Sequence, residues 1–162
     1  MAEESMITDE MRAMIGKEQE PSILELDKTT IRWFARAVGH TDLVYYDEAY
    51  AKSKGHRSIL APPGFLGHPV YTPQQGATEA SLPPALRVLG TKPRRVLNGG
   101  NEFEYYGEEV CAGDVLKRIS KVVDLQERAA SLGKMLIMTT ESSFYNQEGK
   151  LVATQRGTSL IY

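Results

Sequence analysis

The chain changes texture at Arg95, and that change constrains its fold more than any other feature. Residues 96–106, 115–125, 134–145 and 150–161 read as four successive long strands. Phe103 and Tyr105 alternate with polar neighbours, and Val115, Ile119 and Val123 share one parity, hence one face of a pleated strand. The unbroken apolar run Met135-Leu136-Ile137-Met138 asks for cover on both faces. Ala112-Gly113-Asp114 is a turn signal, and Asn146-Gln147-Glu148-Gly149 is a four-residue hairpin loop ending on glycine. Strands joined so closely run antiparallel, because parallel neighbours need a long crossover between them. Gly99-Gly100 falls inside a strand and precedes no helix, so it reads as a bulge rather than a phosphate loop. Phe103, Tyr105 and Tyr106 are expected in the core of that strand.

The first half carries helical periods instead. Thr8 suits an N-cap, and Met11, Met14 and Ile15 give a helix over 8–19, closed by Pro21. Ile23 to Leu26 is a short extended piece. Asp27 is positioned to cap a helix whose Ile31, Phe34, Ala35 and Val38 fall at i, i+3, i+4 and i+7. Gly39 fits the left-handed residue that ends such a helix. Asp47 caps a shorter helix reaching Lys54, and Gly55 stops it. Pro62-Pro63 can open a further helix, since proline in a first turn forfeits only amides that lack partners anyway. Pro69 must end or kink that helix early. Residues 72–84, with Gly76 and three prolines, read as a loop, and 85–89 as one helical turn before Gly90. Helices first and an antiparallel meander second define an α+β fold.

With 162 residues the chain is expected to form a single domain, 1–21 being an N-terminal helical extension. A net charge of −2 with both signs interspersed offers no basic face for nucleic acid. The lone Cys111 rules out an internal disulfide and a cysteine-rich zinc site. The acidic start has no signal pattern, and no apolar run nears the roughly 20 residues that cross a bilayer. These features point to a cytoplasmic protein with no membrane and no nucleic-acid partner.

Helix, polar aromatic turn and short helix lead into Ala61-Pro62-Pro63-Gly64-Phe65, and together they resemble the front half of a MaoC-like hot-dog domain. The second half is similar too: the glycine-containing strand from Val96 to Tyr105, the Gly113-Asp114 turn, the Gly149 hairpin and the final strand. Glu109 replaces the family's proline before that turn. The resemblance spans roughly 23–161 and is nearest to the N-terminal-type dehydratase domain of the family. It implies an antiparallel sheet wrapped around a central helix beginning near Pro62. It also implies hydration of a trans-2-enoyl thioester, or dehydration of a (3R)-hydroxyacyl thioester, on coenzyme A or acyl carrier protein. No redox cofactor is needed, and coenzyme A enters only as part of the substrate. Gly64 and Phe65 would lie against that substrate, with amides at the start of the central helix meeting the thioester oxygen.

In the family an aspartate follows the helix-ending glycine, and a histidine five residues later activates water with it. Here those positions hold His40 and Tyr45, followed by Tyr46 and Asp47. Tyrosine ionises near pH ~10 and is a poor general base at neutrality. Three readings follow. The chain is the substrate-binding half of a pair whose partner hot-dog chain supplies the dyad; or His40 is the base, oriented by Asp42 or Asp47 with Tyr45 as a donor; or the domain only binds a thioester or a protein, and His40 is a turn residue.

His56 and Arg57 could meet coenzyme A phosphates or be solvated loop cations, and the same choice applies to Lys92, Arg94 and Arg95. His68 reads as a buried or half-buried histidine within the central helix. The three histidines lack metal-binding spacing, so no metal is expected. A hot-dog unit leaves a sheet edge and a helix flank open, which predicts a homo- or hetero-oligomer, at least a dimer.

Overall fold

A computed structural model describes residues 5–70, 95–130 and 133–162. Their sheet runs in the order β2 (His68–Pro69), β1 (Ser22–Glu25), β4 (Val115–Ala130), β5 (Gly133–Tyr145), β6 (Leu151–Ile161), β3 (Val96–Tyr105), with every neighbouring pair antiparallel. β3, β4, β5 and β6 are the four strands expected from the sequence. β1 and β2 extend the sheet beyond β4. The order places β3 beside β6, so β4, β5 and β6 form a meander flanked by elements from earlier in the chain. This is the α+β class expected, with few helices against a curled antiparallel sheet.

Helix starts follow the capping chemistry. Thr8 accepts from the Met11 amide at the head of α1 (Asp9–Ala13). Asp27 accepts from the amides of Thr29 and Thr30 and opens α2 (Lys28–Ala37). Asp47 accepts from Tyr50 and opens α3 (Glu48–Ser53). Gly39 and Gly55 take left-handed φ values of 79° and 93° just beyond α2 and α3.

The apolar faces divide into two clusters. Ile31 of α2 and Ala51 of α3 join Leu24, Leu26, Ile59, Phe65, Leu116, Phe144, Val152 and Ala153, all buried. Met11 of α1 covers Val122, Leu136, Met138 and Ile161 nearer the other end of the long strands. Each fully buried aliphatic side chain contributes about 1.5–3 kcal/mol relative to exposure, so both ends of the sheet are held by side chains from the first half. Phe103 packs against the first cluster, but Tyr105 and Tyr106 are 40% and 44% exposed and correct the expectation of a strand core there. The glycine pair forms the expected bulge, where the β3–β6 register shifts between Asn98 and Gly100.

Two helical expectations fail for identifiable reasons. The first helix stops at Ala13 rather than continuing to Gln19. Gly16 turns left-handed, and the amides of Gly16 and Gln19 donate to the carbonyls of Val122 and Ser120, each at 2.8 Å. β4 thus captures the segment beside its own bulge between Val122 and Asp124. The larger correction concerns Pro62: no helix starts there. Phe65 N–H closes a turn on the Pro62 carbonyl, and Gly64 and Gly67 have φ values of +89° and +91°, outside any right-handed helix. A Cβ on Gly67 would lie 2.8 Å from the Glu25 carbonyl oxygen, so the chain passes hard against β1 and then pairs with it as β2. His68, expected within a central helix, is instead an exposed residue of β2 with its ring edge-on to Phe65 at 5.3 Å. The loop expected over 72–84, the turn over 85–89, and Lys92 and Arg94 lie outside the described residues. No helix among the described residues is long and apolar enough to cross a membrane.

Candidate functional site

The C-terminal end of α2 delivers the chain into a tight turn. His40 N–H donates to the Ala35 carbonyl at 2.9 Å, and the Tyr46 hydroxyl donates to the His40 carbonyl at 2.6 Å. A 3₁₀ turn over Leu43–Tyr45 then brings Tyr45 back against His40, their ring centroids 5.1 Å apart and tilted by 38°. The two positions carried over from the resemblance therefore do face each other. Asp42 accepts from the Val44 amide at 3.0 Å and Asp47 from the Tyr50 amide at 2.9 Å, so each carboxylate serves a local cap. Neither hydrogen-bonds the imidazole of His40.

Beyond α3, the chain runs as a stitch between this turn and the segment before β4. Leu60 N–H donates to Val44, Ala61 N–H to Val110, and Ala112 N–H to Ile59. A cleft of about 350 Å³ opens beside the stitch, lined by Tyr45, His56, Ala61, Pro63, Tyr105 and Glu109 among others. His40 does not line it. The Tyr105 hydroxyl accepts from the Gly64 amide at 2.7 Å. Burial pushes the Tyr105 phenol above its ordinary value, and the Gly64 amide partly offsets that. The sequence assigned the amide near Gly64 to a substrate oxygen, backed by a helix; here it meets a phenol, and residues 62–70 form no helix. Phe65 is buried between Phe34 and His68, with ring centroids at 5.2 and 5.3 Å, and belongs to the core. A smaller cavity of about 150 Å³ is lined by Gly64 with Leu66, Phe103, Arg118 and Gln155.

One wall of the larger cleft is a charged network. His56 Nδ1 lies 2.7 Å from Glu109 Oε1. Glu109 Oε2 takes the Arg57 amide at 3.1 Å and the Arg57 Nε at 3.2 Å. The guanidinium also forks onto Asp114, Nη1 to Oδ1 and Nη2 to Oδ2, both at 2.9 Å. Asp114 is only 4% exposed, and its Oδ2 accepts from the Cys111 amide at 2.9 Å. Burial would raise the Asp114 carboxyl, but the Arg57 fork and the Cys111 amide outweigh it and hold it below its ordinary value. Burial pushes the neighbouring Cys111 thiol up to about 11, with the Asp114 charge adding to the shift. Arg57 is thus engaged by two carboxylates within the chain. Glu109 and Asp114 entered the sequence reading only as a replaced proline and a turn residue, and nothing local to either pointed to partners more than 50 positions away.

Comparison with known proteins bears on this geometry. The family described as "FAS1-like, dehydratase domain region" matches residues 13–155. The chain belongs to that family. This FAS1-like dehydratase region is 31% identical over 144 residues to the "UPF0336 protein" of Thermobifida fusca, covering 88% of each chain. It is 27% identical over 135 residues to the "Probable enoyl-CoA hydratase alpha subunit" of Thermomonospora curvata, covering 78% of this chain but 41% of that protein. Its fold is similar to the HadBC (3R-hydroxyacyl-ACP dehydratase) complex of Mycobacterium tuberculosis, with a TM-score of 0.67, 22% identity and coverage of 96% and 99%. It is also similar to the (R)-hydratase of A. caviae, with a TM-score of 0.57, 17% identity and coverage of 90% and 94%. The MaoC-like hot-dog fold is therefore the fold of this chain, and its family is one of dehydratases and hydratases.

Proposed function

We propose that the chain is the thioester-binding subunit of an enoyl-thioester hydratase or (3R)-hydroxyacyl-thioester dehydratase, with the catalytic dyad supplied by a second hot-dog chain. One observation carries this reading: the facing positions at the end of α2 hold His40 and Tyr45, and both nearby aspartates are spent on caps. An imidazole with no orienting carboxylate among the described residues, beside a phenol, lacks the pairing that activates water at neutral pH. The sheet edge supports a partner. Among the described residues β3 pairs only with β6, which leaves the outer backbone groups of a 10-residue strand open to another chain. Similarity to a hydratase alpha subunit, and to chains whose structures are the ChsH1-ChsH2 and HadBC complexes, favours a hetero-oligomer. The substrate would be an enoyl or 3-hydroxyacyl thioester of coenzyme A or acyl carrier protein.

The experiment is titration calorimetry and a hydration assay on one preparation. The chain alone should bind but-2-enoyl-coenzyme A with little turnover, and a hot-dog partner carrying the aspartate and histidine should raise turnover by orders of magnitude. Full activity without a partner would refute the reading.

A further inference from the structure

We propose that His56 and Glu109 form a proton-transfer pair of the larger cleft, at a place in the chain separate from His40 and Tyr45. This rests on the reading that a thioester occupies that cleft. Among the described residues the Glu109 carboxylate meets donors: His56 Nδ1 on Oε1, and the amide and guanidinium of Arg57 on Oε2. A carboxylate oxygen facing Nδ1 suits the tautomer that donates from that nitrogen, which leaves Nε2 with the free lone pair. Arg57 is in turn forked onto buried Asp114. The His56 side chain is 31% exposed and lines the same cleft as Tyr45 and Tyr105. A carboxylate, an oriented imidazole and a cavity with apolar walls at Ala61 and Pro63 are the parts that general base catalysis needs.

The chemistry balances with water alone. The oxygen of a water molecule bonds to C3 of the enoyl thioester while one of its protons passes to His56 Nε2. The C2=C3 electron pair moves to C2 through the thioester enolate. C2 then takes a proton from the imidazolium, restoring the base, and dehydration is the reverse. The same structure makes this centre slow. The Gly64 amide donates to the Tyr105 hydroxyl, and residues 62–70 form no helix behind it. A lost oxyanion donor typically lowers a rate by about 10²–10³-fold. On this proposal the isolated chain has a weak activity of its own, below that of an assembly in which a partner supplies the dyad.

The test uses the full chain without a partner, with but-2-enoyl-coenzyme A as probe. Formation of 3-hydroxybutyryl-coenzyme A is followed by mass, and affinity is measured by calorimetry on the same samples. A slow hydration above the rate in buffer is expected. His56→Gln should lower it by about 10²-fold, with affinity changed by less than about 3-fold. Glu109→Gln should lower kcat by about 10-fold or more at constant KM, as loss of an orienting carboxylate does; a structural role would instead appear in KM and in the melting temperature. Binding without any turnover, or equal turnover by the wild type and His56→Gln, overturns the proposal. A loss on His40→Ala with His56→Gln fully active also overturns it. A chain that binds no thioester refutes the reading of the cleft, and the pair with it.

Discussion

Asp114→Asn probes the network that fixes the cleft wall. The carboxylate makes three hydrogen bonds: two from the Arg57 guanidinium and one from the Cys111 amide, all at 2.9 Å. An asparagine oxygen in the Oδ2 position keeps the bonds from Arg57 Nη2 and Cys111. Its NH₂ then faces Arg57 Nη1, donor against donor. A hydrogen bond to a charged group contributes about 1.5–3 kcal/mol. Stranding a fully buried charge would cost more, but the Arg57 side chain is 59% exposed and can turn to water. The expected cost is about 2–3 kcal/mol, the loss of one charge-assisted bond plus a donor clash. For a chain of this size that lowers Tm by roughly 4–12 °C. The pH dependence provides a second readout. The folded Asp114 carboxyl lies below its ordinary value, so its stabilisation is fully present above about pH 4 and is lost as pH falls through the lower folded value. The gap between wild type and variant should therefore narrow from pH 7 to pH 3. Thermal melts by far-UV circular dichroism at both pH values measure it. A Tm change under about 1 °C at pH 7, or a gap as wide at pH 3 as at pH 7, would refute the reasoning.

Two further perturbations test the local arguments. Gly67→Ala forces a Cβ to within 2.8 Å of the Glu25 carbonyl at φ +91° and should cost more than about 2 kcal/mol in denaturant titration; a neutral change would mean that β2 does not press on β1 this way. Asp27→Ala removes the acceptor for two amides at the head of α2 and should cost about 1 kcal/mol at pH 7. Its effect should fade in acid, because the Thr30 hydrogen bonds hold the folded Asp27 carboxyl below its ordinary value.

What the sequence made legible was local. Asp27, Asp47 and Thr8 each cap a helix because a carboxylate or hydroxyl answers amides two or three residues on. The four long strands were visible from apolar alternation and glycine-bearing turns. The misses were decided by contacts far along the chain. Pro62-Pro63 is a sound helix start in isolation, yet Gly64 and Gly67 adopt positive φ to bring residues 67–69 against β1. Met11, Met14 and Ile15 kept a helical period past Ala13, but the carbonyls of β4 drew Gly16 and Gln19 out of it. β4 runs to Ala130, five residues past the expected end, because Gln126, Glu127 and Arg128 show no apolar period and are ordered by pairing with β5. At the turn after α2, the facing of His40 and Tyr45 was foreseeable from a family spacing. The His56–Glu109 pair was not, since it joins residues 53 positions apart.

The most direct measurement of the central claim compares the chain alone with the chain plus a hot-dog partner that carries the aspartate–histidine pair, at matched but-2-enoyl-coenzyme A. Calorimetry should show thioester binding by the chain alone, hydration should be slow without the partner, and turnover should rise by at least about 10²-fold when the partner is added. Saturating turnover by the chain alone, unchanged on adding the partner, would contradict the assignment of this chain as the thioester-binding half.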